Sequence, residues 1–266
     1  MATRLAVVSF LNTRPLVHAL ETGRIEHHFD LAYDVPSRCA ERLHSGKTDA
    51  ALIPSIEIAR GDVPYSIVPE VSISSRGPVR SVLLLHRRDP ADIRTLALDV
   101  NSRTSAVLSR ILLQKRYRCR PDVLHMPPDA GRMLNRADAA VIIGDAALAV
   151  DTTSCRVIDL GEAWTELTGL PFVYACWAGR SDALDPEQTR QLIRAKALGV
   201  REIPAIAANC ATSHSGSAEF YVDFMGNRIR YDFGEAELAG LDLFFRYAHE
   251  TGSIGKIPKI RFYEQS

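Results

Sequence analysis

The chain has 266 residues, enough for one large domain or two of ordinary size with real apolar cores. Its 32 Lys and Arg balance 32 Asp and Glu, so the formal net charge is zero and no whole-molecule field draws in nucleic acid or an anionic membrane. Any anion must be bound locally. Strand-like and helix-like segments alternate from the start: LAVVSF, a helix over about 13–21, FDLAYD, a helix over 37–43, AALIPS, a short helix near 56–59, then YSIVPEVSISS. VRSVLLLHR, 79–87, is a nearly continuous apolar strand that Asp89 and Pro90 punctuate. LALDV, the helix through Leu112, DVLHM, a helix around 131–135, AAVIIGDAAL and CRVIDLG make a second alternating set, ending at PFVYACWAG from Pro171. From Asp185 the pattern turns helical: PEQTRQLIRAKALGVREI, a Ser/Gly-rich bend at 213–217, and the amphipathic EAELAGLDLFFRYAHETG.

That rhythm predicts an α/β protein with mostly parallel sheets and crossover helices. The long strands at 79–87 and 171–179 flank the second unit. They suggest a chain that passes from lobe one (1–88) into lobe two (89–175) and back (176–266), with a ligand cleft between the lobes. A single doubly wound domain is the alternative. In open parallel sheets ligands sit beyond the carboxyl ends of strands. The cleft is therefore expected from Leu11, Asn12, Thr13 and Arg14, from Pro54 and Ser55, from Ser102 to Ser105, and from Gly144 and Asp145.

The most informative stretch is RTLALDVNSRTSAVLSRILLQ, 94–114. It joins an apolar strand to a helix through a turn of hydroxyl and amide side chains. The first N–H groups of a helix lack internal partners and carry roughly half a positive charge, so a carboxylate or phosphate binds there readily. Ser102, Thr104 and Ser105 add hydroxyl donors and Arg103 adds a charged fork. The competing reading is that Ser102 or Thr104 only caps the helix. The basic run Lys115, Arg116, Arg118 and Arg120 reads as a solvated helix end, not a nucleic-acid patch.

Five cysteines, Cys39, Cys119, Cys155, Cys176 and Cys210, are odd in number and contain no C-x-x-C pair, which argues for reduced core thiols and against a thiolate metal site. No apolar run is long enough for a signal peptide or a bilayer span, so a cytoplasmic protein is expected, with no membrane and no nucleic-acid partner. His27 and His28 read as surface residues, Trp164 and Phe172 as core, and the Ser213, His214, Ser215 cluster as a polar loop without a nucleophile elbow.

VSFLNTRPL, DAALIPSIE, SISSRGPVRSVLLL, LALDVNSRTSAVLSRILL, DAAVIIGDAAL and DLGEAWTELTGLPFVYACWAG together resemble, in order and interval, the chorismate dehydratases of the futalosine route to menaquinone. The likeness runs from about Arg4 to Gly179, with a weaker echo in IRYDFGEAELAGLDLFF. It implies a two-lobed fold like that of type II periplasmic binding proteins and a hydro-lyase that takes chorismate as its small-molecule substrate. No metal or organic cofactor is implied. Asn12 matches the family's active-site asparagine and Ser81 a substrate-contacting serine; Ser55, Ser102, Arg103, Thr104, Ser105, Gly144 and Asp145 are the further residues expected at the substrate.

An amide is no base near neutral pH, so the proton needs another home. The substrate's own enolpyruvyl carboxylate is preferred over Asp145 or Glu57, because a negative protein group beside a dianion costs binding. Two rivals stand beside this reading. One is a cytosolic receptor for small carboxylates; the other is the sister 1,4-dihydroxy-6-naphthoate synthase, whose turn at the equivalent of 101–105 tends to differ.

Overall fold

The computed structural model describes residues 2–265. Five strands open the chain: β1 (Thr3–Val8), β2 (Phe29–Asp34), β3 (Ala50–Pro54), β4 (Ser66–Ile67) and β5 (Ile73–Ser75). The next five, β6 (Val82–His86), β7 (Thr95–Asp99), β8 (Asp122–Met126), β9 (Ala139–Ile143) and β10 (Arg156–Asp159), build a second sheet in the order β10-β6-β9-β7-β8. β11 (Phe172–Gly179) then returns to the first sheet, whose order is β2-β1-β3-β11-β4 with β5 also paired to β11. β3, β6 and β9 are buried at every residue, as apolar runs covered on both faces must be.

Helices α1 (Arg14–Glu21), α2 (Pro36–His44) and α3 (Glu57–Arg60) belong to lobe one. Pro15 and Pro36 sit in the first turns of α1 and α2, where a missing N–H costs nothing. Lobe two carries α4 (Thr104–Tyr117), α5 (Ala130–Arg136), α6 (Gly144–Leu148) and α7 (Leu160–Thr168). The remainder is helical: α8 (Pro186–Arg201), started by a capping box between Asp185 and Gln188, then α9 (Ile203–Ser213), α10 (Ala218–Val222) and α11 (Glu235–Glu250).

Three features differ from the sequence expectation. The strand within 79–87 does not close lobe one: β6 pairs with β9 and β10, so the chain has already crossed before Val82, and it has crossed back before Phe172. The sheets are also mixed. β11 runs antiparallel to β3, and β6 antiparallel to β9 and β10, because each crossing strand enters its new sheet from the opposite end. Finally, α7 fills a stretch to which the sequence reading assigned no element; Asp159 caps its start, accepting from Gly161 and Glu162 N–H, and Gly169 at φ +72° ends it.

One main core runs through both lobes. At the hinge side, Trp164 of α7, Phe172 of β11 and Phe244 of α11 meet edge to face, with Trp164–Phe172 centroids 5.2 Å and Phe172–Phe244 centroids 5.0 Å apart. Trp164 donates Nε1–H to the Pro171 carbonyl at 3.1 Å, so this aromatic belt is core, as the sequence suggested. Four of the five free cysteines are buried, and burial pushes the Cys39 thiol up to about 12, which keeps it protonated and inert.

Candidate active site

A cavity opens between the lobes at the ends of β1, β3, β7 and β9. Its walls are largely apolar, from Phe10, Ile73, Val79, Val82 and Ile143 among others, and polar side chains enter from a few directions: Asn12 and Tyr174 from lobe one, Ser81 from the crossing, and Ser102 to Ser105 from lobe two. Among the described residues, no Asp or Glu lines it.

The turn before α4 does not behave as a simple cap. Arg103 is the N-cap residue, and no side chain of the turn caps the helix. Asp99 holds the turn instead, its carboxylate accepting from Asn101 N–H at 2.8 Å and its carbonyl from Ser102 N–H at 2.9 Å. Among the described residues, Ser102 Oγ is buried without a partner, as is Arg103 Nε. A buried orphan donor costs roughly 1–3 kcal/mol, a debt that an incoming carboxylate would discharge. Arg103 is not a free charge, however: its Nη2 meets Glu41 Oε1 of α2 at 3.1 Å.

Thr104 lines the cavity, yet its hydroxyl is already engaged across the cleft. It accepts Ile56 N–H at 3.2 Å, at the start of α3, and lies 3.4 Å from Ser55 Oγ. Ser105 is buried at the same wall.

Ser81 owes its place to a strained turn. Arg80 adopts φ +64°, and the Asp159 carboxylate fixes it by accepting from Val79 N–H at 3.0 Å and Arg80 N–H at 2.7 Å. The Ser81 carbonyl then accepts Gly144 N–H at 2.8 Å. Gly144 lies at φ +63°, and a Cβ there would stand 2.6 Å from the Phe10 ring, so neither its backbone nor its neighbour leaves room for a side chain.

Of the sequence-derived residues, Asn12, Ser81, Ser102, Arg103, Thr104, Ser105 and Gly144 thus converge on one cavity. Ser55 does not reach it. Fully buried, it donates Oγ–H to the Val173 carbonyl at 2.8 Å, because β11 pairs alongside the end of β3. Asp145 also stands outside the lining; its Oδ1 accepts Leu11 N–H at 3.1 Å, and burial pushes its carboxyl above the ordinary range although that bond pulls the other way. Leu11, Thr13 and Arg14 are likewise absent from the walls. Glu57 is held away by His44 Nε2 at 2.9 Å and Arg60 Nη1 at 3.1 Å.

The sequence reading missed Tyr174, Phe10 and Asp159. Tyr174 is buried with its hydroxyl 2.9 Å from Ser75 Oγ, and burial holds the phenol well above its usual range. Nothing in FVYACWAG separates it from core aromatics. Asp159 did carry a signal, since an Asp before an apolar helical run reads as an N-cap.

A family model described as menaquinone biosynthesis matches residues 3–250. A chorismate dehydratase of Thermus thermophilus is 27% identical, over 90% of this chain and 93% of the relative. Among solved structures, a protein from Archaeoglobus fulgidus superposes with TM-score 0.78 at 18% identity, covering 94% of this chain and 98% of that one. The periplasmic aliphatic sulphonate binding protein of Escherichia coli superposes with TM-score 0.69 at 16% identity, covering 100% and 92%. At these identities the structural likeness shows the fold alone: the chain has the two-lobed α/β fold of type II periplasmic binding proteins, with its cleft between the lobes.

Proposed function

The chain belongs to the menaquinone-biosynthesis family, and on that premise we propose that its cleft dehydrates chorismate to 3-[(1-carboxyvinyl)oxy]benzoate. The observation that carries this reading is the lining: hydroxyls, one amide and one guanidinium set in apolar walls, with no carboxylate among them. A dianion that brings its own base needs such a site. Chorismate has a ring carboxylate and an enolpyruvyl carboxylate, and the turn at 102–105 is suited to receive one of them through Ser102 Oγ, Ser105 Oγ, Arg103 and the N-terminus of α4.

The elimination balances without a co-reactant. The proton leaves the ring carbon bearing the ether oxygen, the C–H electron pair becomes a ring double bond, and the neighbouring hydroxyl departs, so that water and an aromatic ring result. The substrate's enolpyruvyl carboxylate takes the proton and passes it to the departing hydroxyl, which leaves as water, since Glu57 is bound to His44 and Arg60 and Asp145 stands outside the lining. Asn12 holds the leaving hydroxyl or a carboxylate through its amide, and Ser81 supplies a second contact. Being redox-neutral, the reaction asks for no cofactor, and the family's biosynthetic role supports a cytosolic enzyme.

The test is direct. Purified protein mixed with chorismate should remove the diene absorbance while an aromatic benzoate appears, and Asn12→Ala should lower kcat by about 10²–10³-fold, the usual loss for a group that contacts developing charge. Chorismate bound but unchanged would establish a carboxylate receptor instead. No interaction at all would favour the sister synthase.

A further inference from the structure

Two residues that the proposed reaction uses, Asn12 and Ser81, stand on different segments, and a continuous hydrogen-bonded path joins them. Ser81 accepts Gly144 N–H; the next residue, Asp145, accepts Leu11 N–H; and the residue after Leu11 is Asn12. Leu11 opens the single helical turn Leu11–Thr13, whose first N–H groups have no partner within the turn. The turn itself leaves Leu11 N–H without a partner, and lobe two supplies one with a half-buried side-chain oxygen.

We propose that Asp145 is a positioning residue: its side-chain oxygen latches lobe two onto the turn that carries Asn12, and so sets the amide against the substrate. This rests on the chorismate reading for what Asn12 does, though not for the latch itself. Asp145 stands outside the cavity lining, so it acts through Asn12 and not on the substrate. The contact beside it reinforces the geometry, because Gly144 lets the Phe10 ring approach lobe two at a distance no other residue permits. A peptide plane is rigid, so releasing Leu11 N–H frees the Phe10–Leu11 peptide unit, one residue before Asn12, to turn. A second cross-lobe link, Thr104 to Ile56 N–H, stands at the neighbouring pair of strands, so losing Asp145 loosens the cleft without parting the lobes altogether.

The latch requires an acceptor and not a charge, which fixes the choice of variants. Asp145→Ala removes the acceptor, whereas Asp145→Asn keeps a carbonyl oxygen in its place. Thermal unfolding first establishes that both are folded. Small-angle scattering of the ligand-free protein and chorismate kinetics are then measured for parent and variants. Asp145→Ala should have a larger radius of gyration than the parent and lose kcat by 10–100-fold with KM changed less than threefold; Asp145→Asn should recover the parent radius and at least a tenth of the parent kcat.

Parent-like radius and kcat in Asp145→Ala would overturn the latch. So would a collapsed rate in a variant that stays compact, or an Asn variant as impaired as the Ala variant, since either would mean that the carboxylate acts in the chemistry. If the parent itself leaves chorismate unchanged, the chorismate reading fails alone, and the scattering series still decides the latch.

Discussion

At the scale of single residues, the site depends on a few positions where one substitution has a calculable consequence. Gly144 is the clearest. Its φ of +63° disfavours any L side chain by roughly 1–2 kcal/mol, and a Cβ would also drive into the Phe10 ring. Gly144→Ala should lower stability by about 2–3 kcal/mol and kcat/KM for chorismate by more than tenfold, because Phe10 and Asn12 belong to one turn; denaturant unfolding and steady-state kinetics read the two effects separately. Asn12 and Ser81 were accessible from the sequence because their motifs carry them. Tyr174 was not, since a tyrosine that lines a cavity and one that fills a core share the same apolar surroundings in a strand.

Individual elements show how charge is managed near the cleft without entering it. α3 presents Glu57 to His44 and Arg60, and although burial alone would raise this carboxyl, those partners hold it below the ordinary carboxylate range. A depressed value in the folded state means that the group stabilises the protein above its unfolded pKa and ceases to do so as pH falls through the folded one. Glu57→Gln should thus cost roughly 1–3 kcal/mol at pH 7, and the difference from the parent should shrink as unfolding is followed below the ordinary carboxylate range.

α2 and α4 make a second such pair. Glu41 draws on Arg103 at the lip of the cavity, with both side chains more than a third exposed. Removing that competing anion leaves the guanidinium to the substrate. Glu41→Gln should lower KM for chorismate about twofold to fivefold at low ionic strength, an effect that 0.5 M salt, added as roughly a three- to fourfold cut in screening length from dilute buffer, should largely erase.

At the scale of the whole molecule, two lobes share one core at the hinge and meet across the cleft through side-chain oxygens. Asp145 and Thr104, both at the starts of lobe-two helices, each accept an N–H from the start of a lobe-one helical turn. Such bonds satisfy groups that neither lobe can satisfy alone. Closure in this protein consequently rests on partly buried hydrogen bonds with fixed geometry, more than on the exposed ion pair at its rim. On the far side, the Trp164, Phe172 and Phe244 belt joins α7, β11 and α11, and Lys115 of α4 lies 3.8 Å above the Tyr247 ring of α11.

The sequence by itself determined the alternation of strands and helices, the apolar faces, and the hydroxyl-rich turn at 102–105 before a helix, because period, hydroxyl clustering and helix starts are local properties of the chain. It also carried the family resemblance, and with it Asn12 and Ser81. Only the tertiary structure decided which sheet the strand at 82–86 joins, that Ser55 and Asp145 stand outside the cavity lining, and that Thr104 and Arg103 already have partners on the other lobe. Strand pairing and cross-cleft bonds link residues far apart in sequence, and no local pattern encodes which of several equally apolar or equally polar segments will be brought face to face.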